Sequence, residues 1–284
     1  MATTPIENQK ILVTGATGGI GQITALELAR KGAHVIIVGR NPNKTEKTAH
    51  DLRQASGNPR VDYLVADLSV QAEVRRLAAE YQRRYDQLHV LVNNAGGFFA
   101  QRELTADGIE MSLALNHLAP FLLTQLLLDP LTRSAPARIV TVSSMAHQPF
   151  SLDFEDMDSS RAYSGWRAYG RSKLMNIYFT YALARRLDPA QVTANCLHPG
   201  FVNTGFGKGT PGLLGALMRA ALIFSISPQA GAQTSIYLAS DPAVAAASGG
   251  YYVQKKAVRS SAVSYDEAAG ERLWQYSLER TGLA

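Results

Sequence analysis

Tyr169 and Lys173 are four residues apart in YGRSK. On a helix, that spacing puts both side chains on one face. A phenol with a pKa near 10 is a poor acid or base at neutral pH. A neighbouring ammonium favours the phenolate and lowers that pKa. Tyr169 then becomes able to give a proton to an oxygen atom or take one from it. Taken alone, the pair also describes an ordinary helix face. Three other features join it. A β-branched run ends in Val140-Thr141-Val142-Ser143-Ser144, and a serine hydroxyl there can hydrogen-bond a reacting carbonyl oxygen. A second run ends in Asn93-Asn94-Ala95-Gly96, whose small residues let backbone lie close to a ligand; a simple turn is the competing reading. Asn116 interrupts the apolar stretch MSLALNHLAPF, and a buried amide needs partners. Structural bracing is its other reading.

These residues need a scaffold that brings strand ends together. The short apolar runs Lys10–Thr14, His34–Val38, Val61–Val65, His89–Val92, Arg138–Val142 and Val192–Leu197 alternate with longer helical patterns. The helical stretches fall near Ile20–Lys31, Asn43–Ser56, Gln71–Tyr85, Ile109–Thr132 and Ala168–Leu187, with later ones at Gln229–Ala239 and Asp266–Arg280. Tyr251–Val253 reads as a last strand. Short strands, apolar on both faces and separated by helices, predict an α/β fold: a doubly wound parallel sheet. No linker or repeat divides residues 1–284, so a single Rossmann-type domain is expected.

The first strand runs into Thr14-Gly15-Ala16-Thr17-Gly18-Gly19-Ile20-Gly21 and then a helix. Strand, glycine turn and helix in that order cradle a pyrophosphate. Gly15 permits the sharp turn, Gly19 a close approach of phosphate, and Gly21 tight packing of helix on strand. NAD sites carry an acid about 20 residues further on, for the ribose 2′-hydroxyl. No acid lies between Val35 and Thr45; Arg40 stands there instead, and a guanidinium suits a 2′-phosphate. The reading is NADP(H), with NAD(H) as a second possibility. A solvated surface arginine is the competing reading of Arg40.

Thr14-Gly15-x3-Gly19-x-Gly21, Asn93-Asn94-Ala95-Gly96, Ser144 and Tyr169-x3-Lys173 together resemble the short-chain dehydrogenase/reductase family, over about Lys10 to Tyr252. The resemblance implies that Tyr169 is the acid-base, that Lys173 lowers its pKa and binds ribose, and that Ser144, rather than Ser143, orients the substrate oxygen. It implies that Asn116 holds a water joining Lys173 to a proton relay. Asp67-Leu68 would contact adenine, Asn94, Ala95 and Gly96 would line the cofactor, and Pro199-Gly200 with Val202 and Thr204 would meet the nicotinamide. Ser144 and Tyr169 are 25 positions apart, more than in many members. The extra segment, with VSSMAH before it and CLHPGFV later, is similar to the retinol-dehydrogenase-like branch. That branch acts on apolar aldehydes, ketones and alcohols. It often has an N-terminal membrane anchor, and MATTPIENQK shows none.

Leu213–Ile226 is apolar nearly all round, apart from Arg219. It is too short to span a bilayer, which takes about 20 residues. It reads as a lid over the substrate, at about 205–228, or as a core helix or subunit contact. The expected substrate is a small apolar carbonyl or alcohol. With no signal peptide or transmembrane span, the expected location is cytoplasmic, with association at a membrane surface left open by the apolar stretch. Monomer and homo-oligomer both remain open.

Other classes fare worse. At 46% hydrophobic and 18% charged residues, the chain is not disordered. One cysteine, Cys196, excludes an internal disulfide. The net charge of +5 is spread out with no basic run, which argues against nucleic acid. His117, His147 and His198 lack metal-ligand spacing and read as satisfied polar residues, so no metal is expected. A non-catalytic NADP(H)-binding regulatory protein is the alternative; it gains nothing from an intact Asn, Ser, Tyr and Lys set.

Overall fold

A computed structural model describes residues 4–200 and 227–284. Its centre is an eight-stranded sheet in the order β3-β2-β1-β4-β5-β6-β7-β8. The strands are β1 (Lys10–Thr14), β2 (His34–Gly39), β3 (Val61–Val65), β4 (Val90–Asn93), β5 (Ala137–Val142), β6 (Val192–His198), β7 (Tyr251–Val253) and β8 (Lys256–Val258). All neighbours pair in parallel except β7 and β8. The described helices include α1 (Gly19–Arg30), α2 (Pro42–Ser56), α3 (Gln71–Arg84), α4 (Met111–Leu113), α5 (Ala119–Leu126), α6 (Leu128–Arg133), α7 (Gly165–Arg186), α8 (Pro228–Ser240) and α9 (Glu267–Arg280).

Side chains alternate across a strand, so each strand feeds two cores. Leu12, Ile36, Leu91 and Ile139 face one side, with Phe121, Phe179 and Trp274 packed on them. Ile11, Val13, Val35, Ile37, Val92 and Val140 face the other, with Leu28 and Leu238. Helices cover both faces, as the double-sided apolar strands predict.

The sheet reverses direction of growth at β1, which pairs with both β2 and β4. Ligands of open α/β sheets bind outside the strand carboxyl ends at such a point. Thr14, Asn93, Val142 and His198 end β1, β4, β5 and β6 there.

Two local differences from the sequence expectation have physical causes. The single helix expected over Ile109–Thr132 is broken: α4 gives way to a π-helical turn, Ala114–Leu118, before α5. Asn116 sits in that turn. The second difference is β8, which returns antiparallel on β7 through Gln254-Lys255. Both residues have positive φ, 50° and 65°. That is the conformation a two-residue hairpin needs, usually met by Asn and Gly. Without those residues the turn leaves no mark in the sequence.

The extra segment after β5 lies along α7. Met157 packs with Ile109, Leu113, Leu174 and Met175. Two glycines of α7 permit close approach, Gly170 of the extra segment and Gly165 of the loop after β4. A Cβ on Gly170 would meet the Phe150 ring at 2.2 Å, and one on Gly165 would meet the Phe99 carbonyl oxygen at 2.3 Å.

Candidate active site

A cleft of about 920 Å³ opens at the carboxyl ends of the strands. Gly15, Thr17, Gly18, Gly19, Ile20 and Gly21 line one end of it. Gly15 has φ +64° and Gly19 φ +55°, a region that favours glycine. A Cβ on Gly21 would stand 2.6 Å from the Gly15 carbonyl oxygen, so helix α1 packs against the turn as the spacing predicts. Asn94 braces the turn: its Nδ2 donates to the Thr14 carbonyl at 2.7 Å and to that of Gly15 at 3.2 Å. The Thr14 hydroxyl accepts from the N–H groups of Asn94 and Ala95, both at 3.0 Å. Asn94, Ala95 and Gly96 line the cleft from β4.

Arg40, Asp67 and Leu68 also line the cleft. Asp67 is held by Ser69, whose hydroxyl donates to Oδ1 at 2.7 Å. Arg40 is exposed at the end of β2. Lys44 joins this edge: its Nζ lies 3.9 Å from where a Gly18 Cβ would be. Asn41 caps α2 by accepting from the Lys44 N–H at 2.9 Å, which fixes the first turn that carries this lysine. The sequence reading missed Lys44. Its only signal there is a cation one helical turn beyond Arg40.

The other end of the cleft holds Ser144, Tyr169 and Lys173. Both serines after β5 line the cleft, and they differ in their partners. Ser143 is buried and its hydroxyl donates to the Lys173 carbonyl at 2.7 Å. Ser144 faces the cleft, and its hydroxyl hydrogen-bonds Tyr169. Lys173 Nζ lies 5.6 Å from the centroid of the Tyr169 ring and donates to the Val142 carbonyl at 3.1 Å. Asn116 binds both the N–H and the carbonyl of Gly97, at 2.8 and 3.0 Å, and donates to the Ser172 hydroxyl at 3.0 Å. The loop after β4 is thereby tied to α7. A Cβ on Gly96 would come within 2.9 Å of Asn116 Oδ1 and 3.3 Å of Lys173 Nζ, so glycine keeps a cradle open beside both.

The electrostatics correct one expectation. The Lys173 ammonium was expected to lower the Tyr169 pKa. Burial instead pushes the phenol up to about 12, with the Ser144 hydrogen bond opposing it. Burial also brings Lys173 down to about 8. Removing either group from water penalises its charged form, and that penalty is the largest influence on both. At neutral pH the phenol therefore keeps its proton, and the lysine is still mostly an ammonium.

Phe99, Met111, Leu115, Met145, Pro149 and Trp166 add apolar walls. Trp166 stacks on Tyr169 with centroids 6.4 Å apart, and Phe98 meets the same ring edge-on. Pro199 and Gly200 line the cleft beyond β6. Val202, Thr204 and the expected lid up to residue 226 lie outside the described residues. Among the described residues, no helix is long and apolar enough to cross a membrane.

A dinucleotide fits these residues: the glycine turn, the open cradle at Gly96 and Arg40 lie along one cleft, with Lys44 Nζ near Gly18. The comparisons agree. The family model for short chain dehydrogenases matches residues 9–211. The chain is similar to polyprenol dehydrogenase of Homo sapiens, 39% identical over 98% of this chain and 87% of that one. It is equally similar to retinol dehydrogenase 13 of Homo sapiens, 39% identical over 98% and 86%. A solved protein of Mycobacterium paratuberculosis aligns with TM-score 0.77 and 32% identity, over 97% of this chain and 94% of that one. The Pseudomonas aeruginosa RhlG/NADP complex aligns at 0.69 and 26%, over 92% and 100%. The chain belongs to the short-chain dehydrogenase/reductase family, on its retinol-dehydrogenase-like side, and is a nicotinamide-dependent oxidoreductase.

Proposed function

We propose that the chain moves a hydride reversibly between NADP(H) and a small apolar aldehyde, ketone or alcohol, with Tyr169 handling the proton. One observation carries the reading: a serine hydroxyl, a buried phenol and a lysine converge in the cleft that also holds the glycine turn. The nicotinamide, when bound, supplies or accepts the hydride. In reduction, Ser144 holds the substrate oxygen and Tyr169 gives it a proton. Such a step contributes about 10²–10⁴-fold. The Lys173 ammonium beside the ring eases the phenolate that is left. Lys173 also reaches ribose hydroxyls. Asn116 acts as a positioning residue, holding Gly97 and Ser172 so that Lys173 keeps its place; the relay water implied by the family stays part of this proposal.

Arg40 and Lys44 together favour a 2′-phosphate, with NAD(H) as the weaker cofactor. Asp67 and Leu68 serve the adenine end, and Pro199 and Gly200 with Val202 and Thr204 the nicotinamide end. The apolar walls and the names of the relatives, polyprenol and retinol dehydrogenases, support an apolar substrate. Glu103 at the rim disfavours an anionic one. Residues 1–284 are read as a single domain, because one sheet gathers the described groups of the cleft at its strand ends.

The test is oxidation of NADPH at 340 nm against a panel of apolar aldehydes and ketones, with NADH in parallel. Turnover with NADPH preferred is the expected result. Failure to bind either cofactor contradicts the assignment.

A further inference from the structure

Ser144 stands on a peptide unit that two buried histidines grip from opposite ends. The Ser144 carbonyl accepts from His147 Nδ1–H at 2.6 Å. The Met145 N–H, the other end of the same peptide unit, donates to His198 Nδ1 at 3.3 Å. His147 is wholly buried and His198 is 8% exposed.

The partners fix both tautomers. A carbonyl can only accept, so His147 carries its proton on Nδ1. Its Nε2 accepts from the Ser261 N–H at 3.1 Å, so the ring is neutral. His198 accepts at Nδ1 and therefore carries its proton on Nε2. Burial lowers the pKa of both, and His147 lowers that of His198 further, to about 4.

The two rings come from different parts of the sheet. His147 closes the short 3-10 turn after β5, and His198 ends β6 next to Pro199-Gly200. Ser261 lies beyond β8, so the grip joins three segments around one serine. The Tyr251 ring packs edge-on against His147 and holds it in place. The peptide between them needs such support. Met145 is 47% exposed, and among the described residues the Ser144 hydroxyl has one backbone donor, the Ala146 N–H at 3.2 Å, to aim it.

We infer that His147 and His198 are positioning residues that lock the Ser144–Met145 peptide and so aim the Ser144 hydroxyl at the substrate oxygen beside Tyr169. The inference rests on the proposed role of Ser144. His147 stands behind the cleft wall, and His198 lines the cleft beside Pro199 and Gly200 with its Nδ1 turned to the Met145 N–H. Both act through Ser144, and that predicts an energetic coupling which mere support of the fold does not.

The experiment is a double-mutant cycle on the full chain, reading kcat, KM and NADPH affinity. Ser144→Ala and His147→Leu are each made alone and then together. His147→Leu should lower kcat about 10- to 100-fold, the cost of misplacing a reacting group by about 1 Å, with NADPH affinity unchanged. In the Ser144→Ala background the same change should cost less than about 3-fold. His147→Asn places an amide N–H where Nδ1–H was and should recover most of the loss. This variant also covers the case in which His147→Leu fails to fold. His198→Asn, which keeps an acceptor, should exceed His198→Leu by a similar factor. Equal losses from His147→Leu in both backgrounds overturn the inference and leave the role of Ser144 standing. Full activity in Ser144→Ala overturns that role and the inference with it.

Discussion

At one end of the cleft, Gly15, Gly18, Gly19 and Gly21 leave the backbone bare; at the other, Phe99, Met111, Met145 and Trp166 crowd side chains in. The phosphate cradle of the cofactor end comes from one unbroken stretch, β1 to α1, braced by Asn94. Its partners are backbone atoms, and its shape follows from residues that lack a Cβ. The substrate end draws on the loops after β4 and β5, the extra segment and α7. Its shape follows from tertiary contacts such as Phe150 across Gly170 and the two histidines around Ser144. A change at the first end should therefore alter affinity for the cofactor. A change at the second should alter turnover or substrate range.

The most severe break of the cofactor end lies at the glycine turn. Gly21→Ala puts a Cβ 2.4 Å from Asn94 Nδ2 and 2.6 Å from the Gly15 carbonyl oxygen. Overpacking of this kind costs about 1–3 kcal/mol. We expect NADPH affinity to fall by about 10- to 100-fold in a fluorescence titration, together with a measurable loss in thermal stability. Arg40→Asp comes next and acts on the same end. It removes a charge-assisted contact worth about 1.5–3 kcal/mol. The NADPH/NADH ratio of kcat/KM should drop about 10-fold or more, and Lys44→Ala should produce a smaller drop in the same direction. An unchanged ratio in both variants removes the 2′-phosphate assignment.

These two ends differed in how plainly the sequence spoke. The glycine turn and the strand ends were legible because each is a property of neighbouring residues: Gly15 must turn, and Val140-Thr141-Val142 must be buried on both faces. Tyr169 and Lys173 were legible through helical spacing. The effect of burial on them was not, because spacing says nothing of desolvation, and the phenol went up rather than down. Lys44 was missed because it approaches Gly18 only after α2 folds back. His147 and His198 read as satisfied polar residues, and so they are. That they satisfy the two ends of one peptide depends on β5 and β6 lying side by side. The π turn at Asn116 and the hairpin at Gln254-Lys255 lack the residues that usually announce such turns.

The pH response sharpens the comparison further. Lys173 titrates near 8, whereas Tyr169 holds its proton until about 12. Reduction should therefore be steady near neutrality and decline as pH rises through about 8, where the ammonium is lost. Stability should move the other way. The folded chain releases the Lys173 proton near pH 8, while the unfolded chain keeps it to about 10.4. Between those values the unfolded state binds more protons, so this group makes stability rise with pH, by up to about 3 kcal/mol. Lys173→Met should abolish both trends. An activity decline that persists in that variant assigns it to another group.

The smallest expected effect is at the substrate wall. Trp166 is half exposed and stacks on Tyr169. Trp166→Ala should raise KM for apolar substrates by about 3- to 10-fold, from apolar area lost to water, while KM for NADPH stays put. A change in cofactor KM instead would merge the two ends that the geometry separates.

The central claim is that Tyr169 moves the proton in a hydride transfer served by this cleft. Its most direct test compares the wild-type chain with Tyr169→Phe, measuring NADPH affinity and carbonyl reduction in the same preparations. The account predicts unchanged affinity and a loss of turnover of at least about 10²-fold. Turnover close to wild type in Tyr169→Phe would contradict it.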